Sequence, residues 1–271
     1  SFNLTNTDFG KDEYPEVIIL KSKKANYWDK SGFLQYHDNA DTHRMRAELE
    51  TINNWLMAMD ISYKLSAEIN NRRLRRYFTR GDNTFKSGGR LFGGFWLDIS
   101  KKHRKDFLSL NGTNICTLDY SNLSVRILYG MADKEPPAKD AYKIPGFERH
   151  RKGIKKVFNS MSFTDHPLKR FPQGLKQEFE KKHRIKEVTD SIEKHHHPIA
   201  HLLNSQIGHQ VQKVESDIMI RCLLMCIDKG IAALPVHDAL MFPMNNKQEG
   251  MDIMHRAFKS ETGVNAIIEE E

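Results

Sequence analysis

The amino-acid sequence predicts an α+β fold in which short apolar strands are mixed with amphipathic helices. Residues 115–120 form an apolar run typical of a buried strand, and a helix follows with Leu123, Ile127 and Leu128 on one face. Residues 231–243 are apolar around a central His-Asp pair, which is the pattern of a β-hairpin with a polar tip. Strand and helix signals thus occur side by side, as they do in mixed folds.

The N-terminal part of the sequence predicts one strand followed by two helices. The strand is expected at 17–20, and the helices are expected at 41–59 and 65–78. The second helix ends in a run of arginines and aromatic residues at 71–80, which suits contact with phosphates and stacking on bases. The alternative for this run is a solvated charged face.

The rest of the chain predicts mainly helices, bounded by polar loops and prolines. Helices are expected at 149–163, 174–184, 186–194, 207–229 and 247–260, and a last strand at 264–268. The first of these helices is strongly basic, and Arg151 and Lys155 share one of its faces because they are four residues apart. Cations on one face can approach the oxygens of a triphosphate from one side. Lys156 is the alternative to Lys155 if the register of the helix differs by one residue.

Composition and charge limit the class of protein. The chain has 271 residues and a net charge of +7, which favours a polyanionic partner. It has neither an apolar run of about 18 residues nor a signal-peptide pattern. We therefore expect a cytoplasmic, nucleoid-associated protein with no membrane partner, and leave open whether a phage or mobile element encodes it.

The cysteines and histidines of the sequence indicate neither a disulfide framework nor a metal site. The three cysteines, Cys116, Cys222 and Cys226, lie in apolar segments and are expected to be reduced core residues. The histidines at 195–197, with His201 nearby, raise the alternative of a zinc site. Adjacent histidines point in different directions on a helix and no cysteine lies near them, so the pattern argues against this alternative.

Two acidic residues lie at strand ends, where rigid backbone can hold a carboxylate in place. Asp119 lies near the end of the strand at 115–120, with Ser121 as the expected N-cap of the next helix, and Asp238 lies at the tip of the predicted hairpin. Two such carboxylates are the minimum set for a pair of Mg²⁺ ions about 3.5–4 Å apart. For Asp119 alone, helix initiation beside a Ser cap is the alternative.

Five segments occur in a recognisable order along the chain. They are Gly88-Gly89-Arg90-Leu91, Asp119-Tyr120-Ser121, the basic run 151–163, the run 211–218 and Val236-His237-Asp238. In this order they resemble the Thr-Gly-Arg-Leu segment, the first palm motif, the fingers helix Arg-x3-Lys-x7-Tyr-Gly, the Gln-Gly-x3-Asp-Ile segment and the third palm motif of family-A DNA polymerases. That superfamily also contains the single-subunit RNA polymerases of phages and mitochondria.

The resemblance implies a right-hand polymerase core with an antiparallel palm sheet, helical fingers and a small helical thumb. The implied domains are an N-terminal segment with thumb-like helices at 1–85, the first part of the palm at 86–135, the fingers at 136–205 and the second part of the palm at 206–271. The implied cofactors are two Mg²⁺ ions, with Mn²⁺ as a substitute. The implied partners are nucleoside triphosphates, a DNA primer-template and additional replication subunits or domains. RNA or an RNA–DNA hybrid is the alternative to the DNA primer-template.

The resemblance, together with the basic run at 71–80, also implies roles for individual residues. The residues expected to bind metal are Asp119 and Asp238, with the backbone carbonyls of Leu118 and Tyr120. Those expected to bind the nucleotide are Arg151, Lys155, Asn159, Phe163 and Ser124, of which Lys155 also acts in catalysis. Those expected to contact nucleic acid are Arg90, Gln212, His237 and Arg76.

The chain also departs from the family pattern. Ser124 replaces the usual Glu and Phe163 replaces the usual Tyr, so both halves of the filter that excludes a ribose 2′-hydroxyl are altered. Ala239 replaces an acidic residue, Asn159 an aromatic residue and Lys213 a glycine.

We therefore expect a template-directed nucleotidyltransferase. The preferred interpretation is a DNA-directed DNA polymerase that extends a primer 3′-hydroxyl. A primase-like or RNA-synthesising enzyme is the alternative that Ser124 and Phe163 favour. A catalytically weak nucleic-acid-binding module is the alternative that Ala239 and Asn159 favour.

Overall fold

The computed structural model describes residues 16–23, 31–65, 71–79 and 84–271 of the chain. The strands within these ranges are β1 (Ile18–Lys21), β2 (Phe33–Leu34), β3 (Ile61–Tyr63), β4 (Leu74–Phe78), β5 (Gly88–Gly93), β6 (Leu108–Leu110), β7 (Thr113–Tyr120), β8 (Leu234–Val236), β9 (Ala239–Pro243) and β10 (Ile268–Glu270). The α-helices are α1 (Ala40–Ala58), α2 (Lys101–Phe107), α3 (Leu123–Met131), α4 (Arg151–Phe163), α5 (Ile185–His195), α6 (Gly208–Asp228) and α7 (Lys247–Thr262). This mixture confirms the predicted α+β class.

The smaller sheet has four strands in the order β2-β1-β4-β5. β1 pairs antiparallel with β2 and parallel with β4, and β4 pairs antiparallel with β5. Helix α1 begins at a capping box formed by Asn39 and Thr42 and buries Leu49, Ile52 and Leu56, which recur at helical spacing. This apolar stripe packs the helix against the sheet.

The larger sheet is built around β7, its longest strand. β9 pairs along one edge of β7, while β6 and β10 share the other edge, and every pairing in this sheet is antiparallel. Side chains alternate along β7, so Leu118 and Tyr120 are buried while Thr117 and Asp119 lie on the more open face. The Tyr120 hydroxyl donates to the Met254 carbonyl of α7 at 2.7 Å, which fixes that helix under the sheet.

Helix α6 connects the two sheets. It packs against β5 of the smaller sheet and against β8, and it also contacts α1, α3 and α7. Its buried residues include Val211, Ile218 and Cys222. The three cysteines are buried and unpaired, as predicted.

The helix predicted at 65–78 is wrong for its C-terminal part, because residues 74–78 form strand β4. Residues 66–70 and 80–83 lie outside the described ranges. Pairing of residues 74–78 with β1 and β5 determines their extended conformation. Both Arg75 and Arg76 are buried in the resulting sheet. The pair of thumb-like helices expected within 1–85 is therefore reduced to α1 in the described part.

Three smaller predictions also need correction. The N-cap of α3 is Asn122, with a left-handed φ of 56°, rather than Ser121. The helix expected at 174–184 contains only a 3₁₀ turn, Lys176–Glu178. The last strand is Ile268–Glu270, so it begins where the predicted strand ends.

The remaining predicted elements, at 17–20, 41–59, 149–163, 186–194, 207–229, 231–243 and 247–260, are present within a few residues of their expected bounds. None of the helices in the described part of the chain is both long enough and apolar enough to cross a bilayer. The boundaries of the proposed domains stay predictions.

Candidate active site

Asp119 lies near the end of β7, where three strands run side by side. It pairs with Ala239 of β9 on one edge and with Glu269 of β10 on the other. Asp238 precedes Ala239 at the tip of the β8–β9 hairpin. Directly paired residues of an antiparallel sheet have Cβ atoms about 4.5–5.5 Å apart, and Asp238 is one residue from such a pair with Asp119. The fold thus brings together the two aspartates that the sequence identified.

The turn that carries Asp238 is strained and firmly anchored. Val236 pairs with Ala239, which leaves His237 and Asp238 as a two-residue turn. His237 has a positive φ of 56°, a conformation that costs a residue other than glycine roughly 1–3 kcal/mol. The indole Nε1 of the fully buried Trp96 donates to the Pro235 carbonyl at 2.9 Å and holds the hairpin from one side. The positions of His237 and Asp238 are therefore set by the fold.

The electrostatics around Asp119 favour a bound cation. Burial and the negative charges of Asp238 and Glu271 raise the pKa of Asp119 to about 7, while Lys155 acts in the opposite direction. One carboxylate oxygen, Oδ1, is buried and has no hydrogen-bond partner among the described residues. A divalent cation would bind this oxygen and offset the repulsion between the two carboxylates. The donor set therefore fits Mg²⁺ or Mn²⁺.

The predicted backbone ligands lie beside Asp119 in the strand. The side chains of Leu118 and Tyr120 are buried on the other face of β7, so each residue has only its carbonyl to offer a metal ion. This is the role that the sequence predicted for them, and it stays a prediction.

Strand β10 adds carboxylates that the sequence motifs did not indicate. Glu269 pairs with Asp119, and Glu271, two residues on, donates its backbone N–H to the Thr117 carbonyl at 3.0 Å. Residues two apart on a strand share a face, so Glu269 and Glu271 add negative charge on the Asp119 side of the sheet. The signal in the sequence is a run of glutamates directly after the predicted last strand, but its position beside Asp119 depends on strand pairing.

Helix α4 carries four of the predicted nucleotide-binding residues in one row. Arg151, Lys155, Asn159 and Phe163 recur every four residues and so follow one face of the helix. The opposite face is buried in the core. Lys155 is near enough to Asp119 to lower its pKa, so this residue of the row approaches the aspartates.

The structure separates Lys155 from its alternative, Lys156. The Lys156 ammonium lies 2.7 Å from a Glu178 carboxylate oxygen, and Lys152 lies 3.5 Å from the same oxygen. These two lysines are therefore held on another side of α4. Lys155, which approaches Asp119, is the better placed of the pair for the predicted role.

Arg151 and Lys155 lie over one aromatic ring. The guanidinium carbon of Arg151 is 5.7 Å, and the Lys155 ammonium 5.9 Å, from the ring centre of the buried Tyr142. Arg151 also forms an ion pair with Asp140, and despite burial this contact keeps the pKa of Asp140 below its ordinary value. Arg151 is thus oriented before any ligand arrives.

A cavity of about 210 Å³ lies where α3, α4, α6 and β5 meet. Its lining contains five of the predicted site residues, Ser124, Asn159, Phe163, Arg90 and Gln212. Ser162, Gly208, Val211 and Glu215, which were not predicted for the site, complete the lining. Phe163 is held at one edge because its ring packs against Gly208, where an added Cβ would come within 2.8 Å of a ring carbon. Residues predicted for the nucleotide and for the primer-template therefore share one cavity.

Glu215 orients Arg90 in this cavity. Its two carboxylate oxygens accept hydrogen bonds from Nε and Nη2 of Arg90 at 3.1 and 3.2 Å. The Glu215 side chain is buried, whereas that of Arg90 is about half exposed. Burial raises the pKa of Glu215, and the Arg90 charge partly offsets that effect. The role of Glu215 could not be predicted from the sequence, because it depends on contact between β5 and α6.

Arg76 does not occupy the surface position expected of a nucleic-acid contact. It is almost fully buried, with its guanidinium 2.5 Å from Asp217 and its Nε donating to the Gly89 carbonyl and the Ser216 hydroxyl. Its charge is neutralised inside the protein, so it ties β4 and β5 to α6. The prediction for Arg76 is wrong, and the residue instead supports the segment that carries Arg90.

The predicted alternative of a zinc site at the histidine run is also wrong. His196 is fully buried, and its ring nitrogens contact the Tyr129 hydroxyl at 3.1 Å and the Ala141 carbonyl at 2.9 Å. Burial lowers the pKa of His196 to about 4. Among the described residues, the histidines at 195–197 and His201 do not bring a set of ligand atoms together.

Comparison with known proteins gives distant matches to solved structures. No protein-family model and no curated protein matches the chain. Among the solved structures that resemble it is the POL domain of Pol1 from M. smegmatis, in complex with DNA primer-template and dNTP, with 14% identity and a TM-score of 0.42. The match covers 84% of this chain and 51% of that chain, so this chain spans about half the length of its match. A similarity at this level assigns no family.

Proposed function

We propose that the chain is a template-directed nucleotidyltransferase that extends a primer 3′-hydroxyl. DNA synthesis is the first candidate for its activity. The observation that carries the proposal is the proximity of Asp119, on β7, to Asp238, in the turn that precedes the neighbouring strand β9, with Lys155 of α4 close to Asp119. The motif resemblance supports it, because the segments that match in order along the sequence also contribute to one site.

The two aspartates would hold divalent metal ions, with help from the carbonyls of Leu118 or Tyr120. Bound there, the ions would lower the pKa of the primer hydroxyl and stabilise charge on the leaving pyrophosphate. The chain's own contribution is rigidity, since Asp119 projects from β7 and Asp238 from the tight turn that leads into the paired strand β9. Glu269 and Glu271 would supply further negative charge on the side opposite Ala239.

Arg151 and Lys155 would bind the triphosphate. Both cations lie on one face of α4, and Lys155 faces the aspartates, so it can stabilise charge that develops on the reacting phosphate. A triphosphate would have to compete with Asp140 for Arg151, or share it, because the guanidinium is already paired.

The cavity between α3, α4, α6 and β5 would receive the sugar and base of the incoming nucleotide beside the primer terminus. Ser124 and the α4 residues Asn159 and Phe163 line it together with Arg90 and Gln212. His237 is exposed at the strained turn next to Asp238 and would contact the primer end. Hydrogen bonds from Arg90 and Gln212 to the minor groove would hold the primer-template in register.

Ribonucleotide use is the second candidate function, and one observation favours it. Ser124 lines the cavity with a short hydroxyl side chain, where the DNA enzymes of the resembling family have a larger Glu. A 2′-hydroxyl would meet less steric opposition at this wall. A primase-like or RNA-synthesising enzyme would then share the same aspartates and the same α4 row.

The proposal is tested by incubating the protein with primed and unprimed DNA templates, Mg²⁺ or Mn²⁺, and either dNTPs or NTPs. Extension of the primer by dNTPs supports the DNA polymerase. Product from NTPs without primer would replace it by the primase-like alternative. Binding of primer-template without any product would contradict both and leave the nucleic-acid-binding module.

A further inference from the structure

A second group of metal-ligating side chains lies away from the aspartates, at the start of α4. His150 precedes the first residue of α4, and Glu180 and His183 belong to the segment that follows the 3₁₀ turn Lys176–Glu178. Each of the three residues offers one ligand atom, and these atoms all lie within 4.8 Å of one another. None of the three has a role in the function proposed above.

The hydrogen bonds of His150 leave one ring nitrogen available. Its Nδ1 lies 2.9 Å from the Glu178 carbonyl, and a carbonyl can only accept, so Nδ1 carries the proton. The lone pair of the neutral ring is therefore on Nε2, which lies 3.8 Å from Oε1 of Glu180. A backbone carbonyl on the far nitrogen is the usual way in which proteins orient a histidine that binds metal.

His183 contributes a polar atom that lacks a partner. Its Nδ1 is buried and makes no hydrogen bond within the described ranges. A buried polar atom in this condition is uncommon and calls for a ligand, an ion or a water molecule. The His150 and His183 rings lie 5.1 Å apart at 87°, and Phe147 and Phe179 pack around them. The two rings are thus held close together.

The segment that carries Glu180 and His183 is organised by Lys176. Its ammonium donates to the carbonyls of Glu180, Lys181 and His183. The second carboxylate oxygen of Glu180 pairs with Lys182 at 2.9 Å, which leaves Oε1 directed to His150. The Lys176 ammonium therefore binds backbone carbonyls, and the Lys182 ammonium binds the other carboxylate oxygen of Glu180. Neither occupies the space between the three ligand atoms.

We propose that His150, Glu180 and His183 bind one Zn²⁺ ion, with water in the fourth position. Two imidazoles and one carboxylate match the ligand sets of zinc, whereas Mg²⁺ prefers oxygen ligands. Zinc–ligand bonds of about 2.0–2.1 Å in a tetrahedron place ligand atoms about 3.3 Å apart. The three ligand atoms now lie within 4.8 Å of one another, so zinc binding requires only small side-chain movements, for which the half-exposed Glu180 has the most freedom.

The ion would tie the segment at 176–183 to the start of α4. Because Arg151 follows His150 directly, zinc would brace the end of the helix that presents the basic row. The inference does not depend on the proposed function, since metal binding is measured without any substrate.

The test is zinc binding by the metal-stripped full chain, measured by competition with a chromophoric chelator and by the visible spectrum of the Co²⁺ form. We expect one tight site per chain, a tetrahedral Co²⁺ spectrum, and at least a hundredfold loss of affinity in both His150→Ala and His183→Ala. Glu180→Gln changes an exposed carboxylate, so it tests the site in a chain that keeps its buried contacts. It is expected to weaken binding about tenfold or more.

Two controls distinguish this site from other zinc binders. His197→Ala removes an exposed member of the histidine run, and Asp119→Asn removes a ligand of the proposed catalytic metals, and both are expected to keep the tight zinc site. The proposal is overturned by absence of tight binding in the parent chain. It is equally overturned if zinc binding survives both His150→Ala and His183→Ala, or is lost in either control.

Discussion

Asp119 of β7 stands directly opposite Glu269 of β10, in the same cross-strand row as Ala239 of β9. The family that the motifs resemble has an acidic residue at the position of Ala239. In this chain β9 places the neutral Ala239 beside Asp119, whereas β10 places the charged Glu269 on the other side. Negative charge thus reaches Asp119 from both edges of β7, from Asp238 beside β9 and from Glu271 directly after β10.

Glu269→Gln is expected to weaken the use of divalent cations. Removing one negative charge from the Asp119 row reduces the attraction for a metal ion, so the Mg²⁺ concentration for half-maximal primer extension should rise by roughly tenfold. Glu270→Gln is the matched control, because Glu270 is the next residue of β10, lies on the other face and pairs with Lys247. An equal Mg²⁺ requirement in both variants would remove Glu269 from the site.

Lys155→Met is expected to lower the rate of nucleotide addition by roughly 10²-fold, because a charge aimed at the reacting phosphate is lost. Lys156→Met is the control, since it deletes the same charge from the next residue, where it is paired with Glu178. Single-turnover extension at saturating dNTP measures both. A larger defect in the Lys156 variant would show that the α4 row is assigned to the wrong face.

Ser124→Glu is expected to shift sugar selection toward dNTPs. The longer acidic side chain would fill the wall of the cavity where a 2′-hydroxyl has room, so the ratio of kcat/KM for dNTP over NTP should rise by roughly tenfold or more. Ser160→Glu introduces the same residue on α4 outside the cavity lining and should leave the ratio unchanged. An unchanged ratio in Ser124→Glu would mean that this wall does not touch the sugar.

His196 makes the fold sensitive to mild acid. Burial lowers its pKa to about 4 in the folded chain, whereas the unfolded chain takes up a proton below about pH 6.5. Acidification between these values therefore favours unfolding, by about 2 kcal/mol between pH 7.5 and pH 5. This stability is fully present above pH 6.5 and is lost as the pH falls toward 4.

Urea unfolding of the His196→Gln variant at pH 7.5, 6 and 5 measures this contribution. The variant should be less stable at pH 7.5, because it alters contacts to Tyr129 and Ala141, but its stability should fall less on acidification. His197→Gln changes an exposed neighbour and should retain the parent pH dependence. The same fall in stability for His196→Gln as for the parent would contradict the assignment.

The sequence predicted those parts of the fold that local patterns determine. The hairpin at 231–243, the long helix α6 and the basic helix α4 have apolar spacing and breakers that specify them without distant contacts. The same patterns placed Asp119, Asp238 and the α4 row correctly relative to their elements. Helix α1 belongs to this group as well, since its cap and its apolar stripe are both local.

The errors lie where distant contacts decide. The arginines within residues 74–78 are typical of the exposed face of a helix. Arg76 is nevertheless buried, because Asp217, far along the chain, neutralises its charge. The roles of Glu215 and Glu269 could not be predicted, since Glu215 acquires its role from Arg90 on β5 and Glu269 from its register against β7. A single sequence specifies which residues share an element, but pairing between remote elements comes from the folded chain.

The most direct test of the account is divalent-cation binding at the two aspartates. Mn²⁺ binding is measured by electron paramagnetic resonance in the presence of primer-template and an unreactive dNTP analogue, for the parent chain, Asp119→Asn, Asp238→Asn and the exposed control Asp106→Asn. We expect the parent and the control to bind Mn²⁺ alike, and each of the other two variants to lose this binding while it retains the primer-template. Unchanged Mn²⁺ binding in Asp119→Asn and Asp238→Asn would contradict it.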